Sequence, residues 1–210
     1  MATPLSLPSR VSERRQAVID QALDLAVEVM AEEGVGGLTV SEVARRLGVR
    51  PPSLYKYFPS LHAMYDALFA RGLAAESAAV QEAIASEAPG VPRLRAGGRA
   101  VVRWGVENAP LAQLLHWRPV PGFEPSPEVF AASVAGSAQL REELKAAVRL
   151  RQLTRRADSD DAARLFTVVL GGVLSQQLAN QPGRRYDDGD FSRLTDDALQ
   201  MFFTHYARST

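Results

Sequence analysis

The stretch Thr39–Tyr57, TVSEVARRLGVRPPSLYKY, decides the fold, because its small, apolar and basic residues sit where two short helices crossing at a tight turn require them. Ala44 is small enough to let the helices approach, and Gly48 follows one turn later, where φ > 0 costs glycine little and any residue with a Cβ more. Val43, Leu47, Val49, Leu54 and Tyr57 supply the apolar positions, at the spacing of a helix, a short turn and a helix. Thr39 and Glu42 form a T-x-x-E capping box for the first helix. Pro51 and Pro52 suit the opening turn of the second, where a missing N–H does no harm. Arg50, Ser53, Tyr55 and Lys56 are then left facing outward, as in a helix-turn-helix that reads double-stranded DNA.

The chain has 210 residues, with 24 basic and 24 acidic side chains and a formal net charge of zero. Between Val43 and Tyr65, however, the only charged residues are Arg45, Arg46, Arg50 and Lys56. Counterion release from DNA needs a basic patch, not a basic protein, so neutrality overall leaves DNA binding open. A hydrophobic content of 46% supports a substantial core, and the length suits one large or two small domains. There is no cysteine, which rules out disulfides and fits a reducing compartment. With neither a charged-then-apolar leader nor an unbroken apolar run of about 18 residues, the expectation is a cytoplasmic protein with no membrane partner.

Outward from the motif, the periodicity predicts helices throughout and no strands. Residues 1–11 read as a flexible arm from which Arg10, Arg14 and Arg15 could touch phosphate. Ile19, Ala22, Leu23, Ala26 and Met30 mark a first helix from Ser12 to Glu33, stopped by Gly34, Gly36 and Gly37. Residues 12–59 are thus expected to form a three-helix DNA-binding domain, and residues 60–210 a larger helical domain, expected to serve effector binding and dimerisation. In that second part, Ser60 caps a long helix toward Ala85, another runs to Glu107, and a short apolar one ends at Trp117. Ser126 and Pro127 open a helix extending to about Arg156. Helices over Asp160–Asn180 and Phe191–Tyr206 close the chain, joined by the polar stretch QPGRRYDDGD. The expected class is all-α, with about nine helices.

The run GLTVSEVARRLGVRPPSLYKYFPS, with Tyr55 and Phe58 spaced as Tyr-x-x-Phe, resembles the TetR family of bacterial transcriptional regulators, and the likeness extends from Ser12 to about Leu68. The resemblance implies that the helix Pro51–Phe58 enters the major groove. Ser53 and Lys56 would lie nearest the bases, Thr39, Tyr55 and Tyr57 on phosphates, and Arg50, Pro51 and Pro52 at the helix entrance. Many family members carry lysine where this chain has Leu61, so His62 becomes the substitute phosphate contact. The resemblance further implies a repressor that binds a palindromic operator as a dimer and is released by a small-molecule effector.

For pairing, Phe166, Leu170, Gly171, Val173 and Leu174 on one helix and Leu194, Ala198 and Phe202 on the other are the expected interface. The first helix is apolar over more than one face and carries Gly171-Gly172 at a propensity cost of about 1 kcal/mol each. For the effector, expected to be largely apolar, the candidate lining is Trp104, Asn108, Leu114, Trp117, Phe123, Phe130, Phe166 and Gln176. No cofactor and no metal are expected, since His62, His116 and His205 form no ligand pattern. A catalytic role has no motif behind it: there is no G-x-S-x-G elbow and no phosphate-binding glycine loop. Two other classes compete: a helical adaptor that has lost DNA binding, and an enzyme whose site is assembled from distant residues.

Overall fold

The computed structural model describes residues 10–208. Among the described residues there are nine α-helices and no strand. They are α1 (Arg10–Glu33), α2 (Val40–Leu47), α3 (Pro51–Leu54), α4 (Leu61–Ile84), α5 (Val91–Glu107), α6 (Ala109–Trp117), α7 (Pro127–Arg149), α8 (Asp160–Asn180) and α9 (Thr195–His205). Short 3-10 turns lie at Val35–Gly37, Arg155–Ala157, Tyr186–Asp188 and Ser192–Leu194.

The first three helices close around Ala22, Ala26, Val29, Met30, Leu38, Val43, Ala44, Leu54 and Phe58, all buried. This small core continues without a break into that of the larger part. The link is α4, which packs on α1 as well as on α5, α6 and α7. Helix α5 lies centrally, against α4, α6, α7, α8 and α9. It comes close to α8 because position 105 is glycine: a Cβ there would sit 2.6 Å from Leu174 Cδ2. Phe202 of α9 anchors the far end, its ring 5.1 Å from Phe166 and 5.0 Å from Tyr206.

Several boundaries differ from expectation. Residues 1–9 of the expected arm lie outside the described residues, and α1 already begins at Arg10. Arg14 and Arg15 lie on this helix, within the span expected from Ser12. Helix α7 stops at Arg149, not near Arg156, because the chain doubles back on itself there. The N–H groups of Gln152 and Leu153 both reach the Ala147 carbonyl, and Leu153 is buried. The Thr154 N–H then bonds to the Tyr206 carbonyl at 2.9 Å. The final α-helix starts at Thr195, behind the 3-10 turn Ser192–Leu194, not at Phe191. The preceding loop is held from beneath by Gln177, which is fully buried and accepts from the N–H groups of Phe191 at 3.2 Å and Ser192 at 3.0 Å.

Candidate nucleic-acid interface

The helix-turn-helix is built as its caps dictate. The Thr39 hydroxyl accepts the Glu42 N–H at 3.2 Å, opening α2. Gly48 ends it in the left-handed region at φ 74°, and the Val49 N–H returns to the Ala44 carbonyl at 3.0 Å. Arg50 is extended, which lets Pro51 and Pro52 begin α3.

Helix α3 is shorter than the expected span to Phe58. Its α-helical part ends at Leu54, and the N–H groups of Tyr57 and Phe58 both turn back to the Leu54 carbonyl, at 2.9 and 3.0 Å. Leu54 and Phe58 are buried as twin anchors. Between and around them Arg50, Pro52, Ser53, Tyr55 and Lys56 are exposed, with Tyr55 at 48%. Pro51 and Tyr57 are half-buried, and Thr39 is exposed at the start of α2. His62 is exposed as well, but its ring lies edge-on to Phe123 at 6.0 Å.

The cationic run of residues 43–65 is not all available. Glu42 accepts from Arg45 at 2.7 and 2.8 Å and from Arg46 at 2.8 Å. Arg46 continues to Glu32 of α1 through a bidentate pair at 2.6 and 3.0 Å. The hydrogen bonds from Arg45 and then Arg46 lower the Glu42 carboxyl from its usual 4.5 to about 2. Arg46 likewise holds Glu32 below the ordinary carboxylate range, chiefly by its hydrogen bonds. Arg46 thus braces α2 to α1 and Arg45 pairs only within α2, while Arg14, Arg15, Arg50 and Lys56 have no ion pair among the described residues.

The interface is also wired to the rest of the molecule. Tyr65 of α4, fully buried, donates its hydroxyl proton to the Val35 carbonyl at 2.6 Å, and that burial raises its pKa. Phe123, in the loop between α6 and α7, packs on the same ring at 5.6 Å. Three residues on, the Ser126 N–H donates to Asp66 of α4 at 2.7 Å. Neither contact is visible in helical periodicity, because both partners lie far apart in the chain.

The residues expected to line one cavity fall in separate surroundings. Leu114 is plain core, Phe123 faces the start of α4, and Phe166 packs on Phe202. Asn108 caps α5 by donating to the Trp104 carbonyl at 3.0 Å. Trp117 and Phe130 are 39% and 47% exposed, and Gln176 lies on the outer side of α8, bonded to Asn180. Trp104 borders a groove of about 450 Å³ between α4 and α5. Its alanines, Ala79, Ala83, Ala96 and Ala100, leave the space, and Arg99, Arg103, Glu82, Glu107 and Tyr186 line the rest.

The residues of the expected pairing face divide between the chain's own core and its surface. Phe166, Leu170, Leu174 and Phe202 point into the chain's own core. Val173 and Ala198 are half-buried, while Gly171 and Leu194 are exposed. Val168, 67% exposed, and Met201, 74% exposed, lie on the outer faces of α8 and α9. Helix α8 is long and apolar enough to cross a membrane by length and composition. Its inner side, though, is occupied by α5 and α9.

Residues 22–68 match the family described as bacterial regulatory proteins, tetR family. Among curated proteins, an uncharacterized HTH-type transcriptional regulator of Bacillus subtilis, YobS, is 39% identical over 51 residues, 24% of this chain and 27% of that protein. The tetracycline repressor protein class A from transposon 1721 in Escherichia coli is 51% identical over 51 residues, 24% of this chain and 22% of that one. The chain spans about a quarter of the length of these relatives. Over the whole fold the likeness is broader. A regulatory protein in the tetR family from Rhodococcus RHA1 superposes with a TM-score of 0.69 at 17% identity, covering 92% of this chain and 98% of that one. AibR, solved with isovaleryl coenzyme A and operator DNA, gives 0.70 at 19% identity, covering 90% and 98%.

Proposed function

We propose that this chain, whose residues 22–68 are a TetR-type segment on a TetR-type fold, is a transcriptional regulator that binds a palindromic DNA operator as a dimer and releases it on binding a small molecule. The observation that carries the reading is the α3 surface. Buried Leu54 and Phe58 hold one turn of helix so that Arg50, Ser53, Tyr55 and Lys56 all stand clear of the protein. Two kinds of group are then presented together: donors that reach base edges, and cations and hydroxyls that position the duplex through phosphates.

Pairing through α8 and α9 follows from their unpartnered outer sides. A Cβ added at Gly171 or Gly172 would meet nothing within 4 Å, so no close approach inside the subunit calls for glycine there to offset its helix cost. A second copy laid against them, with Val168 and Met201 at the seam, supplies the missing contact. A two-fold dimer presents two α3 helices to half-sites about 34–36 Å apart or a multiple of that spacing.

The groove beside Trp104 is the effector site in this reading. Its alanine floor takes an apolar body, and its volume lies in the usual range for ligand sites. Arg99 is ion-paired with Asp196, and Arg103 with Asp187 and Glu107, so an acidic end of the ligand would exchange with those carboxylates. The isovaleryl coenzyme A bound by AibR, itself an apolar acyl group on an anionic carrier, makes acyl thioesters the first compounds to try. Release requires unequal affinity for the DNA-competent and DNA-incompetent arrangements. Repression is the expected direction, as a dimer on its operator obstructs polymerase, and the bacterial cytoplasm is the place of action.

The test is selection of bound fragments from the native genome at low salt, followed by fragment release on adding acyl thioesters. Sequence-specific, salt-sensitive retention of palindromes supports the reading, and affinity should fall steeply with salt. A chain that retains no fragment, or binds without salt dependence, overturns it in favour of a protein-binding adaptor.

A further inference from the structure

The cations around the helix-turn-helix divide into two groups by what already holds them. Arg46 is held by Glu42 and Glu32 together, and Arg45 forms an ion pair with Glu42 one turn before it. Arg15 has no ion pair among the described residues: it is exposed on α1, its guanidinium carbon 5.0 Å from the centre of the Tyr57 ring and its Nη2 donating to the Lys56 carbonyl at 3.5 Å. That carbonyl lies just beyond the end of α3, where helix carbonyls lack partners. A guanidinium has five donors in a rigid plane. One long hydrogen bond and a stacked face leave most of that edge unengaged and held in one orientation.

From this geometry we infer that Arg15 is a phosphate-binding residue of the DNA surface, set at the junction of α1 and α3. It also fixes the end of the recognition turn by gripping Lys56 and Tyr57. The inference rests on the DNA-binding reading and deepens it. The ligand is a phosphodiester group of the duplex backbone, flanking the bases that α3 faces. Helix α3 is four residues long, too short to hold its own direction, and Arg15 ties its exit to the longest rod of the domain. A cation already stacked on an aromatic ring loses little freedom on meeting a phosphate, so the contact is pre-organised. The cations without an ion pair among the described residues then include Arg15, Arg50 and Lys56, drawn from α1, the turn between α2 and α3 and the turn after α3, while Arg45 is paired with Glu42 and Arg46 braces α2 to α1.

The experiment measures affinity for a selected operator across a salt series, together with melting temperature, for the wild type, Arg15→Ala, Arg15→Lys and Arg45→Ala. Arg15→Ala should bind about tenfold more weakly at moderate salt, the worth of one charge-assisted hydrogen bond. Its log–log salt slope should be shallower by about one, with melting unchanged. Arg15→Lys should restore the slope and only part of the affinity, keeping the charge but not the planar stack. Arg45→Ala should leave the slope as in the wild type. Wild-type slope in Arg15→Ala, with or without a loss of affinity, overturns the phosphate assignment while leaving the DNA reading intact. A wild-type chain that binds no duplex overturns both.

Discussion

At the scale of single residues, Gly48 and Glu42 carry the clearest consequences. Gly48 holds φ 74°, and a Cβ added there meets nothing within 4 Å, so substitution is penalised by backbone conformation alone. Gly48→Ala should destabilise the chain by about 1–2 kcal/mol, read as a lower denaturant midpoint. Glu42 titrates in the folded chain at about 2 instead of its usual 4.5. A lowered carboxyl pKa stabilises the fold above the unfolded value and loses that contribution as pH falls through the folded one. The wild-type melting temperature should therefore drop between pH about 4.5 and about 2 more steeply than that of Glu42→Gln, measured by circular dichroism. Equal slopes would show that the Glu42–Arg45–Arg46 cluster adds nothing to stability. The T-x-x-E spacing correctly announces the helix start, yet Glu42 turns to the arginines, whose side chains reach it at i+3 and i+4.

At the scale of elements, α3 shows how little helix suffices when its anchors are buried. Lys56→Ala and Tyr55→Ala remove exposed groups without touching Leu54 or Phe58. Each should weaken operator binding about tenfold while the sedimentation coefficient stays at its wild-type value. Tyr65→Phe acts in the opposite sense. It deletes the bond to the Val35 carbonyl and leaves that buried acceptor unpaired, at a cost of about 1–3 kcal/mol in unfolding free energy. The ends of α1, α2, α5, α6 and α8 were legible from caps, prolines and glycines, because those signals act within a few residues. The end of α7 was not, because Leu153 and Thr154 leave the helix to meet the core and the Tyr206 carbonyl, partners that local sequence does not reveal.

At the scale of the whole molecule, the outer sides of α8 and α9 decide assembly. Met201→Glu or Val168→Glu places a charge on the proposed seam and leaves the subunit core alone. Either should convert the protein to a monomer at micromolar concentration by analytical ultracentrifugation, with helical content retained and operator affinity much reduced. A dimer that survives both would move the seam elsewhere. The sequence marked α8 as apolar on more than one face but not which residues faced inward. Phe166, Leu170 and Leu174 are taken by α5 and α9, and the residues that remain for a partner are smaller or lie a turn away.

The chain's local chemistry was enough to specify an all-helical protein with a helix-turn-helix near its start, since caps, left-handed glycines, early prolines and apolar period all operate between near neighbours. Packing alone determined which arginines are braces and which remain available, which face of α8 is left over, and where a hollow opens beside Trp104. Those outcomes depend on groups such as Glu32 with Arg46, or Arg15 with Lys56, that are distant along the chain and meet only when the helices close, so no local pattern records them.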